Sequence, residues 1–269
     1  MRTQLVLTMT LAVLGLASSA RAGDDVKKAQ KQVEDYVSNL VGNKQGFRRV
    51  APIQDETLKK LLPGVHCFGV LFPQFPIGIE PPAPLKVANI VIVDKDGKMQ
   101  ALSDVRALEK FCKANFPAAQ SEEGAAAAAR AWLKLSQHLH SDGFYQFDLG
   151  ERFPVSVNDQ QKPAKVSGLA RVKPVGGNKG QIEATLSFGA DGKLVAVAEK
   201  VKLIEGIRPI CQATRLLDPD PVIRKMAERD LLVMGRLGEE YLQMQRARAS
   251  AELRREIDRV WRQILDEDR

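Results

Sequence analysis

Ile182, Ala184, Leu186 and Phe188 alternate with polar or small neighbours, and the run from Leu194 to Leu203 is rich in Val and Ala. Between them lies Gly189-Ala190-Asp191-Gly192, where glycine can supply the positive φ that a tight reversal needs. This period of two on either side of a glycine turn predicts a β-hairpin over residues 181–203.

Elsewhere the period lengthens. Val26, Ala29, Val33, Val37, Leu40 and Val41 recur at spacings of three and four, which predicts a helix from Asp24 to Val41 that Gly42-Asn43 ends. A short helix is expected from Asp55 to Leu62, with Asp55 as its cap and Pro63-Gly64 as its break. Val65–Phe72 and Leu85–Val93 read as buried strands on either side of a stretch with five prolines, Pro73, Pro76, Pro81, Pro82 and Pro84, which suits only an extended loop. Asp94-Lys95-Asp96-Gly97 then turns the chain into a strand over Lys98–Leu102. Its pattern IVDKDGKMQAL echoes SFGADGKLVAV around Gly192, a hint of duplication. Ser103 is expected to cap a helix carrying Val105, Leu108, Phe111 and Cys112 on one side.

Ser121 opens an Ala-rich helix whose face is Ala125, Ala128, Ala129, Trp132, Ser136 and Leu139, and Gly143 ends it. Strands are expected at Phe144–Leu149, Pro154–Val157 and Ala164–Lys173 before the hairpin. Helices packed on antiparallel sheet make an α+β fold, and the element order resembles the cystatin-like or NTF2-like outline. The natural divisions are 23–120, an α+β region; 121–211, the long helix and its meander; and 212–269, an all-α tail.

In that tail Asp220 and Pro221 suit an N-cap and first helical residue, and Ile223, Ala227, Leu231 and Met234 form a stripe. A short helix carries Tyr241 and Leu242. Ser250 then caps a last helix with Leu253, Ile257, Val260, Trp261 and Ile264 on one face. The opening LLD-x-D-x-x-x-R from Leu216 to Arg224, the spacing of Ala227 and Leu231, and the E-x-R-x-x-I-x-x-x-W/L style of finish resemble a HEAT-like helical motif found at the ends of many exported bacterial proteins. Glu239, Glu240 and Gln243 stand where that motif has small residues and proline. The resemblance implies a packing or docking unit. One such unit cannot bury its own stripe, so residues 253, 257, 260, 261 and 264 are expected to meet the sheet domain or a partner.

Charge and composition narrow the function. The net charge of +7 is spread over helices that also carry Asp and Glu, unlike the one-sided, aromatic-interleaved face of a nucleic-acid binder. Arg2, the apolar run Leu5–Ala17 and Ala20-Arg21-Ala22 follow the order of a signal peptide cut at Ala22–Gly23, which predicts an exported, periplasmic or extracellular protein. No later segment reads as a membrane span. Of the three cysteines, Cys67 and Cys112 are expected to be neighbours able to pair, which leaves Cys211 alone.

No arrangement of residues points to chemistry. His66 and Cys67 are adjacent on a strand and so face opposite ways. His138 and His140, two apart on a helix, diverge. Asp94-x-Asp96-Gly97 starts like a calcium loop, but the twelfth position is Val105 and not Glu. No catalytic, cofactor-binding or metal-ligating residue is therefore assigned, and no cofactor is expected. Trp132, Phe144, Tyr145 and Phe147 are candidate lining for a pocket between the Ala-rich helix and the sheet. The sequence favours a non-catalytic exported protein that binds a protein partner or a cell-envelope component. A small-molecule carrier, or an enzyme whose site spacing does not reveal, is the alternative.

Overall fold

The computed structural model describes residues 24–42, 49–76, 78 and 80–267; residues 1–22, which the sequence pattern reads as a signal peptide, and Asn43 lie outside them. Helix α1 (residues 24–41) is followed by β1 (Arg49–Pro52), α2 (Glu56–Leu61), β2 (His66–Leu71), β3 (Ala88–Val93), β4 (Met99–Leu102), α3 (Val105–Asn115) and α4 (Glu122–Leu139). Then come β5 (Phe147–Leu149), β6 (Val155–Val157), β7 (Pro163–Val172), β8 (Lys179–Phe188), β9 (Leu194–Ile204), α5 (Pro221–Met234), α6 (Glu239–Arg248) and α7 (Ala251–Glu267). The fold is α+β, with two antiparallel sheets ordered β1-β2-β3-β4 and β5-β7-β8-β9, and β6 paired to β7.

Four layers result. Along β2 and β3 the side chains alternate between two partners. Phe68, Val70, Val91 and Val93 meet α1 through Ala29, Val33, Val37 and Val41. Cys67, Ile90 and Ile92 face α4. Burying each of the α1 valines is worth about 1.5–3 kcal/mol. The other side of α4 packs on Val166, Ala170, Ile182, Ala184 and Leu186 of the second sheet. Lying between two sheets, α4 is buried beyond the single face its spacing suggested, since Ala131, Leu133 and Leu135 are buried as well. Its alanines let both sheets approach closely, while Trp132, fully buried, supplies bulk.

Asp55, Ser121, Asp220 and Ser250 cap their helices through side-chain oxygens. The cap of α3 is Asp104 and not Ser103, because Asp104 Oδ1 accepts the Ala107 N–H at 2.9 Å. Among the described residues of 73–87 the chain forms no strand or helix. The two D-G-K reversals each join the last two strands of their sheet. At the second, Gly192 (φ +79°) accepts the Ala119 N–H at 2.8 Å, and a Cβ there would sit 2.6 Å from the Ala119 carbonyl oxygen. The hairpin tip is thereby pinned to the α3–α4 connection.

The tail packs on the same chain. Its core includes Ala227, Leu231, Leu242, Leu253, Ile257, Val260 and Ile264, together with Phe144 from the body, while Phe75, Val175 and Ile207 pack at its border. Four of the five residues in the α7 stripe are thus interior to the tail, and Trp261 is half-buried.

Candidate functional site

A cleft of about 470 Å³ opens where the tail meets the body. Its floor is the first sheet, through Arg49 and Ala51 of β1 and Gly69 and Leu71 of β2, which are paired in register. One wall is the last turn of α4 and the loop after it, with Gln137, His138, Phe144 and Tyr145. The opposite wall is the turn Gly235–Gly238 and the start of α6, with Arg236, Leu237, Glu239, Glu240 and Gln243. Arg49 and Glu240 bridge floor and tail, Nη1 to Oε2 at 2.7 Å.

Side-chain hydrogen bonds fix the aromatic wall. Asp142 Oδ1 accepts the N–H groups of Phe144 and Tyr145 at 2.8 and 3.2 Å. Asp142 Oδ2 accepts Arg208 Nε at 2.6 Å, and Arg208 Nη1 donates to Asn178 Oδ1 at 2.9 Å. Asn178 in turn donates to the Phe144 carbonyl at 3.0 Å. The Arg208 guanidinium lies 5.1 Å from the centres of both the Phe144 and Tyr145 rings, a cation–π contact to each. Its Nη2 also lies 2.5 Å from Asp142 Oδ2, an ion pair with the same carboxylate. Burial, reinforced by the Asp142 charge, raises the Tyr145 phenol, which therefore stays protonated.

His138 packs its ring over the backbone of β2; a Cβ at Gly69 would lie 2.9 Å from His138 Nδ1. Burial, with Lys134 and Arg49 nearby, pushes the imidazole down to about 4. The ring is neutral at ordinary pH. His140 turns the other way, to Glu199 Oε1 at 2.8 Å. Glu199 Oε2 also accepts Trp132 Nε1 at 2.8 Å and Ser136 Oγ at 2.6 Å. Burial raises this carboxyl, but the three donors outweigh it and hold Glu199 below its ordinary range.

Of the four pocket candidates, Phe144, Tyr145 and Phe147 line the cleft, which lies at the C-terminal end of α4, between the first sheet and the tail. Trp132 does not line it; its ring is in the core and its N–H is taken by Glu199. Arg49, His138 and Glu240 were not foreseen as lining. They come from three distant segments, and only His138 stood out as a residue type. The remaining candidates are structural. Cys67 and Cys112 are free, buried thiols; burial, and then the nearby Cys67, raises Cys112, and burial raises Cys67 to about 12. Asp94 Oδ1 closes its turn by accepting the Asp96 and Lys98 N–H groups. Among the described residues no group of three or more His, Cys, Asp or Glu is placed to hold a metal ion, and no helix is long and apolar enough to cross a membrane.

Comparison with protein-family models, with curated proteins and with solved structures finds no match to this chain.

Proposed function

We propose that the protein is a non-catalytic binding protein acting outside the cytoplasm, and that the cleft between the first sheet, the end of α4 and the tail is its ligand site. The observation that carries this reading is the construction of the cleft. It has a volume of about 470 Å³, within the range of about 300–1,000 Å³ usual for small-molecule sites, and its Phe144–Tyr145 wall is held by Asp142, Asn178 and Arg208. A site whose aromatic wall is fixed beforehand loses less conformational freedom on binding. A binding role fits the reactive groups too. The Cys67 thiol is buried with its pKa raised, and Glu199 is saturated with donors. Export rests on the signal-peptide pattern of residues 1–22.

In this reading the HEAT-like tail forms one wall of the site. A second role for it, docking a protein partner or envelope component, is favoured by one observation. Val222, Met226 and Val233 lie along the outer side of α5 and are 61, 52 and 53% exposed.

The test is a ligand screen by chemical-shift perturbation on the purified protein, repeated with Gln243→Trp. Gln243 is an exposed lining residue, so the indole should fill the cleft without disturbing the core. Hits abolished by Gln243→Trp support the site. Hits that all survive it, or the absence of any hit, overturn the reading.

A further inference from the structure

We propose that the cleft takes a small zwitterion of the amino-acid or short-peptide class, its carboxylate on Arg49 and its ammonium on Glu240. This rests on the cleft being the ligand site. Arg49 and Glu240 face each other at 2.7 Å, and their side chains are 39 and 45% exposed. An ion pair that open to water holds weakly, so a ligand can part it. The charge a ligand must then satisfy is double. A monoanion would engage only Arg49 and a monocation only Glu240, each giving up the Arg49–Glu240 contact for a single contact in exchange. A neutral sugar would leave the pair closed and gain neither charge. A molecule with one group of each sign replaces one ion pair by two charge-assisted contacts.

The rest of the lining agrees. Arg236 on the turn before α6 and Glu239 at its start add one more charge of each sign, so the cleft lining as a whole carries two charges of each sign. His138 contributes none at neutral pH, because burial keeps its ring uncharged. Gln137, Gln146 and Gln243 each offer both a donor and an acceptor, which is what a peptide group presents in return.

The experiment is calorimetric titration of the purified protein with tri-alanine bearing free termini, with N-acetyl tri-alanine and with tri-alanine amide. Free tri-alanine should bind, and blocking either end should weaken binding at least tenfold. Arg49→Gln should remove the discrimination against the amide, and Glu240→Gln the discrimination against the acetylated peptide. Both side chains are only partly buried, and unchanged melting temperatures will show that the variants fold. Equal binding of free and blocked peptides, binding indifferent to both substitutions, or no binding of free tri-alanine at millimolar concentration would each overturn the proposal. If the screen meanwhile finds other ligands that Gln243→Trp displaces, the cleft stands and only its ligand class falls. If Gln243→Trp displaces nothing, both fall.

Discussion

The carboxylate of Glu199 on β9 accepts the indole N–H of Trp132 on α4 at 2.8 Å, tying the buried helix to the second sheet through its largest side chain. Ser136 and His140 stand one and two turns further along α4, and the same carboxylate collects both. The Glu199 side chain is only 5% exposed. Three donors therefore depend on one buried group. Removing it leaves the Trp132 N–H and Ser136 hydroxyl without an acceptor in the core, which costs far more than a surface pair. Glu199→Ala should lose about 3–5 kcal/mol of stability. Glu199→Gln keeps an acceptor oxygen and should lose about 1–2 kcal/mol. Urea unfolding followed by Trp fluorescence measures both, and equal losses would show that the hydrogen bonds are not what matters there.

His138 should make the protein acid-sensitive in a defined window. Its ordinary value of 6.5 falls to about 4 on folding, so between those values the unfolded chain binds the extra proton. The stability is fully present above pH 6.5 and declines as pH falls towards 4, by about 3 kcal/mol in all. Glu199 acts lower. Its folded pKa lies below the ordinary 4.5, so its contribution is lost only as pH drops beneath that value. His138→Gln should flatten the stability profile between pH 6.5 and 4.5 and leave the steeper acid limb intact. An unchanged slope in that interval would contradict the burial of the ring.

The thiols should separate by reactivity. Cys67 and Cys112 are buried with raised pKa values, whereas Cys211 is half-exposed next to the tail. The thiolate is the reactive form, so a disulfide-exchange reagent should label Cys211 first in the native protein and the other two only on unfolding. Labelling of all three at one rate would mean that the core opens around α3.

How much of this was legible in the sequence depended on how far apart the interacting residues lie. The β8–β9 hairpin and the caps at Asp55, Ser121, Asp220 and Ser250 are local patterns, and each forms as its spacing implies. Strand β1 was missed. It has four residues, ends in proline and pairs only with β2, so it carries no period of its own. Glu199 sits in LVAVAEKVKLI, where a charged residue reads as facing water; its partners are about sixty residues away on α4. The cleft was half legible. Phe144, Tyr145 and Phe147 form an aromatic cluster in sequence, but nothing local joins Arg49 to Glu240, which are 191 residues apart.

Phe144 decides how strongly the tail is held. It is 6% exposed, belongs to the tail's core and yet comes from the loop that ends α4. Its ring meets Phe75 edge-on at 6.3 Å and lies beneath the Arg208 guanidinium. The other two cores of the body contain no tail residue, so the body has its own means of staying folded. Phe144→Ala should cost about 3–5 kcal/mol, the usual range for emptying a buried aromatic site. The loss should fall on the docking surface, since the hydrogen bonds Asp142 makes to the loop backbone do not need the ring. Deleting residues 212–269 removes the same contact from the other side. The truncated body should still unfold cooperatively, at a lower urea midpoint, and Phe144→Ala should then destabilise it much less than it does the full chain. That non-additivity is the measurement that matters, because two changes at one interface share the energy they remove. If Phe144→Ala costs the same with and without the tail, the ring is stabilising the body's own loop, and the tail is held by other contacts, such as Leu237 against Gly176, instead.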